Sequence, residues 1–180
     1  HVKNVYPVQT YTQNLMSAVP LVKAPEAWEL VGGQSEAGRG IKVAIIDSGI
    51  TPDHPLFDDT GFEAPATRAT DDYCATTDAS FCNNKLIVAR FYPPYNIDYE
   101  ETGEFESPKA LSGHGTHVAG IAAGREVVAS SGETIVGVAP AAYVMAYKAL
   151  FGQSGSGSDD ALLAALDDAY EDGADVINNS

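Results

Sequence analysis

Two side chains in this sequence are placed to do chemistry. Asp47 ends an apolar run, Lys42-Val43-Ala44-Ile45-Ile46, and His114 opens a stretch rich in glycine and alanine, Gly113-His114-Gly115-Thr116-His117-Val118-Ala119-Gly120. A carboxylate that accepts a hydrogen bond from one imidazole nitrogen fixes the tautomer and leaves the other nitrogen to act as a base. The pair would form half of an acyl-transfer site. Either residue alone has a plainer reading, as a turn cap or as an interior polar group. His117 falls one turn after His114 on a different side and reads as structural. The His-x-x-His pair it makes lacks the glutamate and the spacing of a zinc-binding helix.

The elements that must position these groups follow from the apolar pattern. Lys42 to Ile46 is short, almost wholly apolar and partly β-branched, as a parallel strand buried on both faces should be. An aspartate directly after it lies at the carboxyl edge of the sheet, where open α/β folds bind their ligands. A helix from Gly113 to about Gly124 would carry His114 at its start, with Val118, Ile121 and Ala122 on the buried side. Further strands are expected at Lys85–Phe91, Tyr143–Lys148 and Ala174–Asn179, and a short edge strand within residues 1–12. A helix capped by Ser158, with Asp159 and Asp160 in its first turn, would lay Leu162, Leu163, Leu166, Ala169 and Tyr170 on the sheet and end at Gly173. Another, over 24–31, has Pro25 in its first turn and Trp28 as a core anchor. Strands alternating with helices imply an α/β fold, a parallel β-sheet with helices on both faces, in which Asp47 and His114 can converge.

Composition narrows the partners. The chain has 180 residues, 44% of them hydrophobic, enough for one domain with a substantial core, and a formal net charge of −15. Nucleic acid and anionic membrane surfaces would be repelled. No apolar run approaches the roughly 18 to 20 residues that span a bilayer, so membrane insertion is not expected. The start His1-Val2-Lys3-Asn4 is not a signal peptide. Cys74 and Cys82 lie in one polar stretch, which favours a local disulfide in an oxidising compartment over two free thiols. Metal binding there is disfavoured, because no second Cys or His pair lies nearby. The acidic segment 93–108 reads as a solvated surface loop, with a calcium site as the lesser reading.

Three motifs, in order, resemble one family. Val43-Ala44-Ile45-Ile46-Asp47-Ser48-Gly49-Ile50, Gly113-His114-Gly115-Thr116-His117-Val118-Ala119-Gly120 and Gly137-Val138-Ala139-Pro140 are similar to the aspartate, histidine and post-histidine signatures of the subtilases, the subtilisin-like serine peptidases. Cys82-Asn83-Asn84-Lys85-Leu86-Ile87, followed by Ala89-Arg90, resembles the branch of the plant subtilases and pyrolysin-like bacterial enzymes. The resemblance implies a subtilisin-like three-layer fold, incomplete on its C-terminal side. It implies that Asp47 is the catalytic aspartate and His114 the general base of a secreted serine endopeptidase made as a zymogen. It also implies that Gly155-Ser156-Gly157 is the edge that hydrogen-bonds polypeptide substrates, and that Ser180 begins the wall of the primary specificity pocket. Residues 1–15 resemble the tail of an inhibitory propeptide, with the processing junction between Tyr11 and Lys23 and the N-terminal part of the catalytic domain over 16–180.

The sequence departs from the family pattern in two places. His54-Pro55 is followed by Leu56 and Phe57, and 125–135 lacks an Asn-rich pattern, so the usual high-affinity calcium site is expected to be missing and no cofactor is implied. The Gly-Thr-Ser-Met-Ala segment that carries the family's nucleophile does not occur. These residues alone are therefore expected to be inactive, with an apolar sheet edge at the last strand. The alternative from another class is a non-catalytic peptide- or protein-binding module on the same fold. A nucleotide-binding α/β domain fits less well, for want of a Gly-rich phosphate turn directly after the first strand.

Overall fold

The computed structural model describes residues 15–180; the edge strand expected within 1–12, and the tail assigned to 1–15 apart from its last residue, lie outside the described residues. In chain order, α1 (Leu15–Leu21) and α2 (Ala24–Leu30) lead to β1 (Lys42–Asp47), and α3 (Tyr73–Thr76) precedes β2 (Leu86–Phe91). Then come α4 (Tyr99–Thr102), α5 (His114–Ala123), the short antiparallel pair β3 (Val127–Val128) and β4 (Thr134–Ile135), β5 (Tyr143–Lys148), α6 (Asp159–Glu171) and β6 (Val176–Asn179). Strands β2, β5, β1 and β6 hydrogen-bond in that order into one wholly parallel sheet.

The alternation of side chains along a strand assigns each face its own layer. Val43, Ile45, Val144 and Ala146 pack with Ala119 and Ala123 of α5, while Ala44, Ile46, Met145 and Tyr147 pack with Ala165 and Ala169 of α6. Helices therefore cover both faces, and the fold is the α/β class that the pattern implied. After β1 the chain builds to one side of it, and after β5 it crosses to the other. The carboxyl end of β1 lies at this change of direction, the place at which open α/β sheets bind their ligands.

Both covering helices approach by their small residues rather than by their largest. On α5 the buried positions are Gly115, Thr116, Ala119, Gly120 and Ala123, while Val118, Ile121 and Ala122 are only half-buried. Leu56 explains this: a Cβ at Gly120 or Gly124 would come within 2.7 or 2.9 Å of its methyl carbons, so the glycines form its seat. On α6, Ala165 and Ala169 face the sheet, whereas Leu163, Leu166 and Tyr170 are 60%, 40% and 79% exposed. The expected leucine face is thus corrected to an alanine stripe with only Leu162 of the larger residues beside it. Ser158 stands at the N-cap position with extended backbone, but its side chain makes no capping bond to the helix. Gly173, at φ +80°, closes the helix as expected. Trp28 is half-buried rather than a core anchor, and its indole N–H donates to the Val138 carbonyl at 2.8 Å.

Polar ties fix the layers to one another. Cys74 and Cys82 are joined in a disulfide around α3. Buried Asp72 caps that helix through Ala75 N at 2.9 Å and accepts from Ala89 N of β2 at 3.0 Å. Among the described residues, the one cluster that could offer metal ligands is Asp72, Cys74 and Cys82, and its sulfurs are spent in the disulfide. On the other face, Arg90 and the Tyr147 hydroxyl both donate to Asp172 at 2.8 Å, and the Tyr92 hydroxyl donates to Asp168 at 2.7 Å. No helix among the described residues is long and apolar enough to cross a membrane.

Lys85 is wholly buried at the start of β2, its ammonium donating to the Pro140 and Ala142 carbonyls at 2.8 and 2.5 Å and lying 4.6 Å above the Phe62 ring. Desolvation pushes its pKa down to about 7. Burial and the neighbouring Asp172 and Asp168 push Tyr147 and Tyr92 upward. Between neutral pH and the ordinary lysine range the unfolded chain therefore binds the extra proton, and stability rises with pH. From about pH 7 to about pH 9 the gain from Lys85 is about 2 kcal/mol. Above about pH 10 the tyrosines of the unfolded chain ionise first and stability falls again. Urea denaturation at both pH values should show this rise, and Lys85→Met should reduce the slope; an unchanged slope would refute the assignment.

Candidate active site

Asp47 is the last residue of β1, 1% exposed, and its carboxylate gathers three hydrogen-bond partners. The next residue folds back on it, so that Ser48 N–H donates to Oδ1 at 2.6 Å. His114 brings its Nδ1 to 2.8 Å from Oδ1 and 3.0 Å from Oδ2. The third partner is Ser180, whose hydroxyl donates to Oδ2 at 3.0 Å. A buried carboxylate without such donors would be costly, and these hold it as an acceptor.

His114 is the first residue of α5, and its ring remains 57% exposed although Nδ1 is engaged. A tautomer with the proton on Nδ1 donates to Asp47 and leaves the Nε2 lone pair available. The helix start has no capping side chain of its own. Instead Ser48 Oγ accepts from Gly115 N–H at 3.1 Å, and Ser112 donates to the same oxygen at 2.9 Å. One orphan helix donor is thereby satisfied from the turn after β1, which locks the histidine's helix to the aspartate's strand. A second tie runs from Thr51 N–H to Thr116 Oγ1 at 3.0 Å.

Two glycines make the approach close enough. Gly49 has φ +93°, and the segment 108–110 crosses directly over it, with Ile50 N–H donating to Pro108 O and Ala110 N–H to Ile50 O at 3.0 Å each. A Cβ on Gly115 would collide with the Gly49 carbonyl and sit 3.1 Å from Asp47 Oδ1.

Of the remaining expected site residues, Gly155, Ser156 and Gly157 follow β5 and Ser180 follows β6. Phe151 and Ser156 exchange two backbone hydrogen bonds of 2.8 and 2.9 Å around a tight turn in which Gly155 has φ +64°. The backbone groups of Ser156 that make this exchange are committed to the turn, and exposed Gly157 follows it, packed against the Ala149 carbonyl too closely for a side chain. Ser180 does what the sequence did not announce, since it reaches Asp47 across 133 residues. His117 is exposed on α5. Ser48, inside the aspartate motif, and Ser112, just before the histidine motif, are not singled out by the sequence, and their only signal is a hydroxyl beside each. A cavity of about 650 Å³ between 52–59 and 125–128 contains neither Asp47 nor His114.

A carboxylate–imidazole dyad at the carboxyl edge of a parallel, doubly covered sheet is what fold and geometry define here. The model of the subtilase family matches residues 38–180, and the chain belongs to that family. Among plant proteins it is 39% identical over 158 residues to the subtilisin-like protease SBT1.5 of Arabidopsis thaliana, covering 82% of this chain and 20% of that protein. It is 36% identical over 185 residues to SBT2.2 of the same plant, covering 95% of this chain and 21% of the relative. The chain thus spans about a fifth of the length of these relatives.

Replacing Gly115 with alanine should lower stability by about 1–3 kcal/mol, because the obstructing atom belongs to backbone that cannot swing away. Urea denaturation of wild type and variant measures the difference, and equal midpoints would show that the helix and turn can separate freely.

Proposed function

We propose that this chain supplies the orienting carboxylate and the general base of a subtilisin-like serine endopeptidase. The single observation that carries the reading is the grip of Asp47 on His114 Nδ1 at 2.8 and 3.0 Å while the rest of the ring faces solvent. Nε2 would take the proton of a serine hydroxyl as its oxygen attacks the scissile carbonyl, then deliver it to the departing amine. Water would repeat the sequence in reverse on the acyl-enzyme. Asp47 holds the tautomer and stabilises the imidazolium that forms.

The serine and the side-chain oxyanion donor would come from the remainder of a longer protein. The shared fifth of the relatives' length supports this, as do the exposed Leu163, Leu166, Tyr170 and Val176 around β6, apolar surface that further chain would cover. Polypeptides would lie along Gly155-Ser156-Gly157, with Ser180 at the entrance to the primary pocket, and residues 1–15 would act as the tail of the protein's own propeptide. Secretion is supported by the disulfide, which persists in an oxidising compartment.

The test uses the full-length protein. It should hydrolyse a denatured polypeptide and label with a fluorophosphonate at a serine outside this segment. Asp47→Asn should lower kcat by about 10⁴, because the ring then holds the wrong tautomer. Binding of peptide without labelling or hydrolysis would instead establish a non-catalytic binding module.

A further inference from the structure

The acidic segment 93–108, expected to be solvated, sends one carboxylate inward. Glu104 is 7% exposed and its Oε2 lies 2.6 Å from Lys148 Nζ, an ammonium that is itself completely buried. Lys148 is the last residue of β5 and the direct ladder partner of Asp47. Its ammonium also donates to the Lys109 carbonyl at 2.8 Å and lies 4.7 Å above the ring of Phe151. The other oxygen of Glu104 accepts from Gly152 N–H at 2.6 Å. Gly152 opens the turn that Phe151 and Ser156 close, and its carbonyl accepts from Gly155 N–H at 3.2 Å.

Burying two charges costs several kcal/mol in desolvation, and hydrophobic replacements are often as stable, so stability alone gives weak grounds for the pair. What an apolar pair could not provide is the acceptor for Gly152. We propose that Glu104 is a positioning residue for substrate: its carboxylate accepts from Gly152 N–H, and that bond sets the turn from which Gly155-Ser156-Gly157 meets the peptide, while Lys148 supplies the counter-charge that lets an ionised carboxylate be buried there. The proposal rests on the peptidase reading above and deepens it. Neither side chain need touch substrate. The effect falls on binding of the residues before the scissile bond, while the Asp47–His114 geometry stays intact.

Two double variants of the full-length protein separate this from a structural role. Glu104→Leu with Lys148→Met keeps a packed, uncharged interior but removes the acceptor. Glu104→Gln with Lys148→Met is equally uncharged and keeps an oxygen for Gly152. The Leu/Met protein should show KM raised about tenfold for an extended peptide, with kcat and the hydrolysis of a single-residue ester little changed. The Gln/Met protein should return KM to near the wild-type value. Equal KM in all three proteins, or a fall in ester hydrolysis equal to that in peptide hydrolysis, would overturn the positioning role while leaving the peptidase reading intact. A wild-type protein without peptidase activity would overturn both. If the Leu/Met protein does not fold, amide hydrogen exchange at Gly152 in the wild type decides: slow exchange is expected, and exchange at the rate of a free turn would overturn the proposal.

Discussion

The buried carboxylate of Asp47 is the constraint on which the rest of the structure depends. An ionised group removed from water must be given donors, and here they come from three places that the chain can bring together only by folding. Ser48 supplies one from the adjacent backbone, His114 another from the start of α5, and Ser180 a third from the end of β6. Each donor carries an element with it. The demands of one aspartate therefore set the turn after β1, the docking angle of α5 and the register at which β6 ends.

Close approach is the second theme, and it is achieved by omission of side chains. Gly115 admits the Gly49 carbonyl, Gly120 and Gly124 admit Leu56, and Ala165 and Ala169 admit the sheet. The larger apolar residues of α5 and α6 stand to the side or outward. A helix that must carry a functional group to the end of a strand gains more from proximity than from buried area, since reach is limited by backbone distance.

Much of this was legible in the sequence. Strands β1, β2 and β5 are short apolar runs with few alternatives, and the Asp47 and His114 motifs sit where a parallel sheet brings ends together. Cys74 and Cys82 are close enough in sequence for a local bridge. What escaped detection has one physical cause, namely that composition does not reveal direction. Leucines outnumber alanines on the expected face of α6, yet the helix turns its alanines inward. Glu104 sits among other acidic residues and resembles them, although its carboxylate is the one of that segment that pairs with Lys148. Ser180 is expected at the pocket wall from the resemblance, but its bond to Asp47 has no signal in the sequence and exists only once β6 lies beside β1.

The separation of the dyad along the chain has a kinetic meaning. His114 meets Asp47 across 67 residues, and Ser180 closes over them across 133. Contacts of such long range form slowly, because the loops they enclose must first lose their freedom. Local turns and helices can come and go before the sheet shuts, but none of them brings the ring to the carboxylate. The oriented imidazole is thus a property of the finished sheet, denied to the nascent chain, whose own loose backbone is the nearest peptide at hand.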